Sequence, residues 1–184
     1  MRRFLITLVY GLLASASAWA DGAVPRPSPE YAVKLTTGQQ LLLSQYRGKV
    51  VALMFVATTC PHCQQTCRLM EKLSREYGPL GFQPLAVAFN DMAMMLLPDF
   101  VKQANVTFPI GYDLRDTVFA YLDRSPILKT FVPIQIFIDR NGVIRAQHLG
   151  DDQFLANQER NTRTIIEQLL KEPAGGKSSP KKPS

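Results

Sequence analysis

The chain has 184 residues, of which 46% are apolar and 20% charged, enough for one domain with a full core and too apolar for a disordered polypeptide. Its formal net charge of +6 sits mostly at the ends, with Arg2 and Arg3 at the start and Lys177, Lys181 and Lys182 near the finish. Without those five cations residues 4–172 stand at +1, so no basic face is left to hold a phosphate backbone, and nucleic acid is not expected as a partner.

Met1-Arg2-Arg3 is a short basic segment. An uncharged, mostly apolar stretch runs from Phe4 to Ala14, and Ala18-Trp19-Ala20 precedes Asp21. This is the layout of a secretory signal peptide over residues 1–20 with an Ala-x-Ala cleavage site, which places the mature domain in the periplasm or otherwise outside the reducing cytosol. Left uncleaved, residues 4–20 are a membrane anchor that nearly spans a bilayer; once cleaved, no stable membrane insertion remains. Residues 21–29 carry three prolines and read as an irregular lead-in. Residues 173–184 are Pro, Gly, Ser and Lys and read as a disordered basic tail. The folded domain is therefore expected over residues 30–172.

Within it, strand and helix patterns alternate. Residues 31–35 and 40–43 flank Thr36-Thr37-Gly38 as a hairpin. Residues 50–57 form a continuous apolar run of strand length, as a strand buried on both faces requires. Pro61 suits a first helical turn, and the helix is expected to run to Tyr77, where Gly78-Pro79 stops it. A second buried strand covers 82–89, followed by helices over 92–104 and 115–122. Strands over 134–139 and 143–149 are joined by Arg140-Asn141-Gly142, a hairpin turn. A helix over 152–170, capped by Asp151 or Asp152, closes the chain. The pattern is that of a single α/β domain with a central mixed sheet between helical layers.

Cys60-Pro61-His62-Cys63 lies at a strand-to-helix junction. The first cysteine then sits at the helix N-terminus, where unpaired amides and the helix dipole favour a thiolate. The second is one turn further in, within reach of a mixed disulfide formed by the first. Cys60 is thus the expected nucleophile and Cys63 the resolving thiol, with Pro61 and His62 between them as tuning residues. His62 has a plainer reading as a solvated loop histidine. A zinc site would need further ligands at suitable spacing, and only Cys67, His62 and His148 remain; no metal and no cofactor beyond a redox-active Cys60–Cys63 disulfide is expected. Cys67, four residues on along the same helix face, is either a small buried hydrophobe or a third redox thiol. The run Met92-Ala93-Met94-Met95-Leu96-Leu97 reads first as a core-facing helix start, second as a docking patch and third as a thioether site for Cu(I).

The stretch from Arg47 to Cys63, with Phe131-Val132-Pro133 and Ile136-Phe137-Ile138-Asp139-Arg140-Asn141-Gly142, resembles the TlpA/ResA branch of the redoxin (AhpC/TSA-like) thioredoxin superfamily. The resemblance spans residues 30–170 and implies a three-layer thioredoxin-like fold and protein thiol–disulfide exchange, with protein thiols or disulfides as substrates and a membrane redox partner. It also implies a cis Pro133 beside the cysteine pair, exposing the Val132 backbone to a substrate chain. Reducing members carry a buried acid at positions that hold Met54 and Thr66 here, and an aromatic where Thr59 stands. The Cys-Pro-His-Cys centre and the Val-Pro pair resemble DsbA-type oxidases instead, so the direction of electron flow stays open. Two alternatives share the fold. A thiol peroxidase would need threonine and proline where Ala57 and Leu53 stand. A Sco-like copper protein matches the Cys63/Cys67 spacing but lacks a histidine at Pro133.

Overall fold

In the computed structural model the described residues are 22–173; the leader with its cleavage site, and residues 174–184 of the expected tail, lie outside them. The chain forms β1 (Arg26–Pro27), β2 (Ala32–Lys34), β3 (Gln40–Leu42), β4 (Val50–Val56), α1 (Pro61–Tyr77) and β5 (Phe82–Ala88). It continues through α2 (Ala93–Ala104), β6 (Ile110–Tyr112), α3 (Arg115–Leu122), β7 (Ile134–Ile138), β8 (Val143–His148) and α4 (Gln158–Lys171). The strands make one mixed sheet in the order β1-β8-β7-β4-β5-β6-β2-β3.

β4 organises this sheet. All seven of its residues are buried, and it pairs in parallel with β5 and antiparallel with β7. Alternation sends Val50, Ala52, Met54 and Val56 to one face, where α1, α2 and α4 pack, and Val51, Leu53 and Phe55 to the other, under the N-terminal hairpin and α3. A run apolar at every position is what two covered faces demand. The three-layer arrangement agrees with the expectation from the residues.

Four local expectations are corrected. The lead-in is not irregular throughout, because Arg26 and Pro27 pair with Ile144 and Val143 as β1. Proline is tolerated there because β1 is the sheet edge, and the buried Arg26 guanidinium donates to the Tyr121 carbonyl at 3.1 Å and the Gln147 side chain at 3.0 Å. The closing helix is shorter than expected. Residues Gln153–Asn157 form a 3₁₀ turn capped by Asp152, which accepts from the Phe154 amide at 2.8 Å, and α4 begins only at Gln158. Burial of the Phe154 ring, stacked on His148 at 3.9 Å between centroids, holds that turn against the sheet. In α2 the buried stripe is Ala93, Leu97, Phe100 and Ala104, so Met92, Met94 and Met95 fall outside it and are exposed. Finally, β6 was not anticipated, since three residues with a central glycine carry no periodicity.

That glycine is required by packing. A Cβ at Gly111 would lie 2.5 Å from the Lys34 carbonyl oxygen and 2.7 Å from Val33 Cγ1, which prises β6 from β2. Gly111→Ala should therefore lower stability by about 1–3 kcal/mol, read as an earlier midpoint in thermal or denaturant unfolding; an unchanged midpoint would refute the contact's importance.

Candidate redox site

The end of β4 delivers the cysteine pair. After Val56 the chain turns through Ala57, Thr58 and Thr59, and the Cys60 amide donates to the Ala57 carbonyl at 3.1 Å. Asn90, just past β5, pins this turn: its Oδ1 accepts from the Thr58 amide at 2.8 Å, and its Nδ2 donates to Thr58 Oγ1 at 2.9 Å. Cys60 is the N-cap of α1, with extended backbone (φ −99°, ψ 113°) and Pro61 at the first helical position. Its sulfur accepts a hydrogen bond from the Cys63 amide at 3.2 Å. A helix N-cap normally uses a side-chain oxygen for this purpose; here the Cys60 sulfur occupies that place.

The two cysteines differ sharply in surroundings. Cys60 is partly exposed, whereas Cys63 and Cys67 are fully buried; all three are free thiols. Burial pushes the Cys63 thiol far up, and its contact with Cys60 adds to that, with the Ala57 backbone opposing. Burial also pushes Cys67 up to about 12, with Cys60 contributing. Both inner sulfurs are therefore protonated at neutral pH. Met54 is fully buried beneath the helix, and the buried Thr66 hydroxyl accepts from Gln158 Nε2 at 2.8 Å, so these two positions present only uncharged groups to the pair.

Opposite the pair lies the loop before β7. The Val132–Pro133 peptide is cis, as the resemblance implies. His62, Thr66, Val132, Pro133, Gly150 and Gln158 line a cleft of about 300 Å³ in which His62 is exposed. Gly150 fixes that loop: its amide donates to the Phe131 carbonyl at 2.9 Å, and a Cβ on it would come within 2.6 Å of the Val132 carbonyl. The residues expected from the sequence, Cys60, Pro61, His62, Cys63, Val132 and Pro133, are thus gathered at one end of the sheet. Cys67 is one turn deeper in the core. Among the described residues no three His, Cys, Asp or Glu side chains group as they would to hold a metal ion. His148 bonds Asp152 at 2.8 Å and stacks on Phe154.

Asn90, Gly150 and Gln158 escaped the reading of the sequence. The break after a buried strand at Asn90-Asp91, and a glycine two residues after β8, were the signals available for the first two. Gln158 carried none, since one helical glutamine looks like another.

Residues 24–147 match the model of the AhpC/TSA family. The chain is 31% identical over 123 residues to the thiol-disulfide oxidoreductase ResA of Geobacillus kaustophilus, covering 67% of each chain. It is 30% identical over 125 residues to the thioredoxin-like protein YneN of Bacillus subtilis, covering 67% of this chain and 69% of that one. In fold it is similar to a thiol:disulfide interchange protein of Chlorobium tepidum, with a TM-score of 0.64 at 21% identity, covering 80% of this chain and 98% of the other.

The exposure difference sets an order of reactivity. In the folded protein iodoacetamide should modify Cys60 well before Cys63 and Cys67, and all three only in denaturant, as followed by peptide mass spectrometry. Equal labelling of Cys60 and Cys63 in the native state would contradict this geometry.

Proposed function

This chain belongs to the AhpC/TSA family as a thiol–disulfide oxidoreductase of thioredoxin-like fold, and we propose that it exchanges disulfides with other proteins outside the cytosol through Cys60 and Cys63. The observation that carries this reading is the asymmetry of the pair: an accessible sulfur at the helix start, bonded by the Cys63 amide at 3.2 Å, above a buried partner sulfur one turn away. Such a pair lets one sulfur meet the substrate and the other remain sheltered until needed.

The preferred direction is oxidation of substrates. A substrate thiolate attacks Cys60 Sγ in the Cys60–Cys63 disulfide. The S–S bond breaks, Cys63 departs with the bonding electrons and takes a proton, and a mixed disulfide joins Cys60 to the substrate. A second substrate thiolate then attacks the substrate sulfur, forming the substrate disulfide and releasing Cys60. Two electrons pass to the pair, and a membrane redox partner removes them. The bond from the Cys63 amide at 3.2 Å and the helix dipole stabilise the released Cys60 sulfur, while burial keeps Cys63 a neutral thiol. Stabilising the reduced form this way makes the disulfide a stronger oxidant, by about 30 mV for each 1.4 kcal/mol. The uncharged Met54 and Thr66 offer Cys63 no carboxylate to take its proton, which disfavours the reverse, reducing role. The cleft beside Val132 suits an extended substrate segment pairing with the loop backbone.

Export rests on the sequence of residues 1–20, and no described helix is long and apolar enough to cross a membrane. Protein recovered from the periplasm should begin at Asp21 and lack Trp19, the single tryptophan of the chain; an intact mass that retains Trp19 would refute cleavage.

Titration in glutathione buffers with acid trapping tests the chemistry. Cys63→Ser should accumulate a mixed disulfide with glutathione and Cys60→Ser none. The wild-type potential should lie above the value of about −270 mV typical of thioredoxin, and His62→Pro should lower it. A potential at or below that value would assign the reducing direction instead, and the opposite trapping pattern would exchange the roles of the two cysteines.

A further inference from the structure

The β-ladder places four residues in one row across the sheet. His148 of β8 stands opposite Gln135 of β7, Gln135 opposite Met54 of β4, and Met54 beside Ala86 of β5. Met54 and Ala86 belong to the core cluster that contains Cys63 and Cys67. Side chains opposite one another on a sheet point to the same face, so Gln135 is directed into the layer between the sheet and helices α1 and α4. It is completely buried, and neither its Nε2 nor its Oε1 has a hydrogen-bond partner. Thr162, on the inner face of α4 one turn beyond Gln158, is likewise buried with an unpartnered hydroxyl. Gln158 in turn holds Thr66 of α1, the residue three places after Cys63. A buried carboxamide without partners is destabilising relative to a satisfied one, and an apolar side chain of the same size would remove that penalty. Keeping a glutamine there needs a reason other than packing.

The exchange chemistry supplies one. Each turnover requires the deeply buried Cys63 to gain or lose a proton, and the side chains facing it from β4 and β5, Met54, Val56, Ala86 and Ala88, are all apolar. The titratable groups acting on Cys63 are Cys60 and Cys67, both sulfurs of the same helix. His148 stands behind Gln135 and is already engaged with Asp152. The uncharged polar groups of this layer are Gln135, Thr66, Thr162 and Gln158. Gln158 and Thr66 also line the cleft that opens to solvent.

We propose that Gln135 is a positioning residue for proton exchange at Cys63, its unpartnered carboxamide offering, with the Thr66 and Thr162 hydroxyls, polar sites at which water from the cleft is held in the layer that contains the buried sulfur. This rests on the assignment of Cys60 and Cys63 as the exchanging pair. When Cys63 resolves a mixed disulfide on Cys60, its S–H proton passes to a water molecule held at these polar groups and so to solvent. The Cys63 sulfur then bonds to Cys60 Sγ, and the outgoing thiol departs with the electrons of the broken S–S bond. In the opposite direction the proton returns by the same route.

The test uses the full folded domain carrying a Cys60–thionitrobenzoate mixed disulfide and records thionitrobenzoate release at neutral pH in a single turnover, alongside thermal unfolding. Gln135→Leu should be as stable as the wild type or more so, yet release thionitrobenzoate about tenfold more slowly. Gln135→Glu, which keeps an acceptor at the same place, should restore the rate. Thr162→Val should slow release in the same sense and provides an independent reading if Gln135→Leu folds poorly. Wild-type rates in both Gln135→Leu and Thr162→Val would overturn the role of Gln135 alone. A wild-type adduct that never releases thionitrobenzoate would overturn the pairing of Cys60 with Cys63, and this inference with it.

Discussion

The register of β4 between β5 and β7 is the constraint from which the site follows. Its alternation puts Met54 and Val56 beneath α1 and Phe55 on the opposite side against Tyr31 and Tyr121. A slip of one residue would exchange these faces and bury the wrong set. Because the strand is packed on both sides, its last residue is fixed in space, and the turn from Ala57 to Thr59 has little freedom left. The Asn90 clasp on Thr58 removes what remains. The first turn of α1 therefore begins at one defined place, over the C-terminal end of the strand.

That placement makes two chemically identical residues different. Cys60 takes the N-cap position, where the amide of Cys63 is directed at its sulfur, while the helix carries Cys63 down into the core. Three residues of helix thus convert one solvent-facing thiol and one sheltered thiol into a matched pair. Cys67 repeats the geometry one turn deeper and is raised by burial in the same way. The pair needs a second wall, and β7 provides it. The loop before β7 is held from behind by Gly150, whose missing side chain is what lets β8 return close enough to bond Phe131.

The layer under α1 and α4 is notable for what it mixes. Most of it is aliphatic and aromatic, as a close-packed interior should be, yet Thr66, Gln135 and Thr162 are buried among those groups. Elsewhere in the fold two buried carboxylates are satisfied by several partners. Asp113 accepts from Tyr31, Lys34 and the Leu114 amide. Glu71 would be raised by its burial, but bonds from Thr107 and Arg75 hold it below the usual carboxylate range. Those groups fasten elements together, Asp113 joining the N-terminal hairpin to the loop before α3 and Glu71 joining α1 to the loop after α2. Gln135 and Thr162, in the layer that holds Cys63, instead keep bonding capacity in reserve.

Elements with strong local signals were legible in the residues alone: the doubly buried β4 from its unbroken apolar run, α1 from Pro61 and the Gly78-Pro79 stop, and the β7–β8 hairpin from Arg140-Asn141-Gly142. The unequal exposure of Cys60 and Cys63 was legible there too, because two cysteines at a helix start differ in exposure by helical geometry alone. What the sequence could not determine were features made by segments distant in the chain. Pairing of Arg26 with Ile144 spans the whole domain, β6 exists because Gly111 fits against Lys34, and the α2 methionines stay exposed because a stripe at 93, 97, 100 and 104 already fills the available contact. Asn90, Gly150, Gln158 and Gln135 acquire their places only when strands and helices far apart in sequence come together. Local propensity acts over a few residues, whereas cross-strand registry and helix-to-sheet packing are set by the whole core at once, and the surroundings of Cys63 are of that second kind.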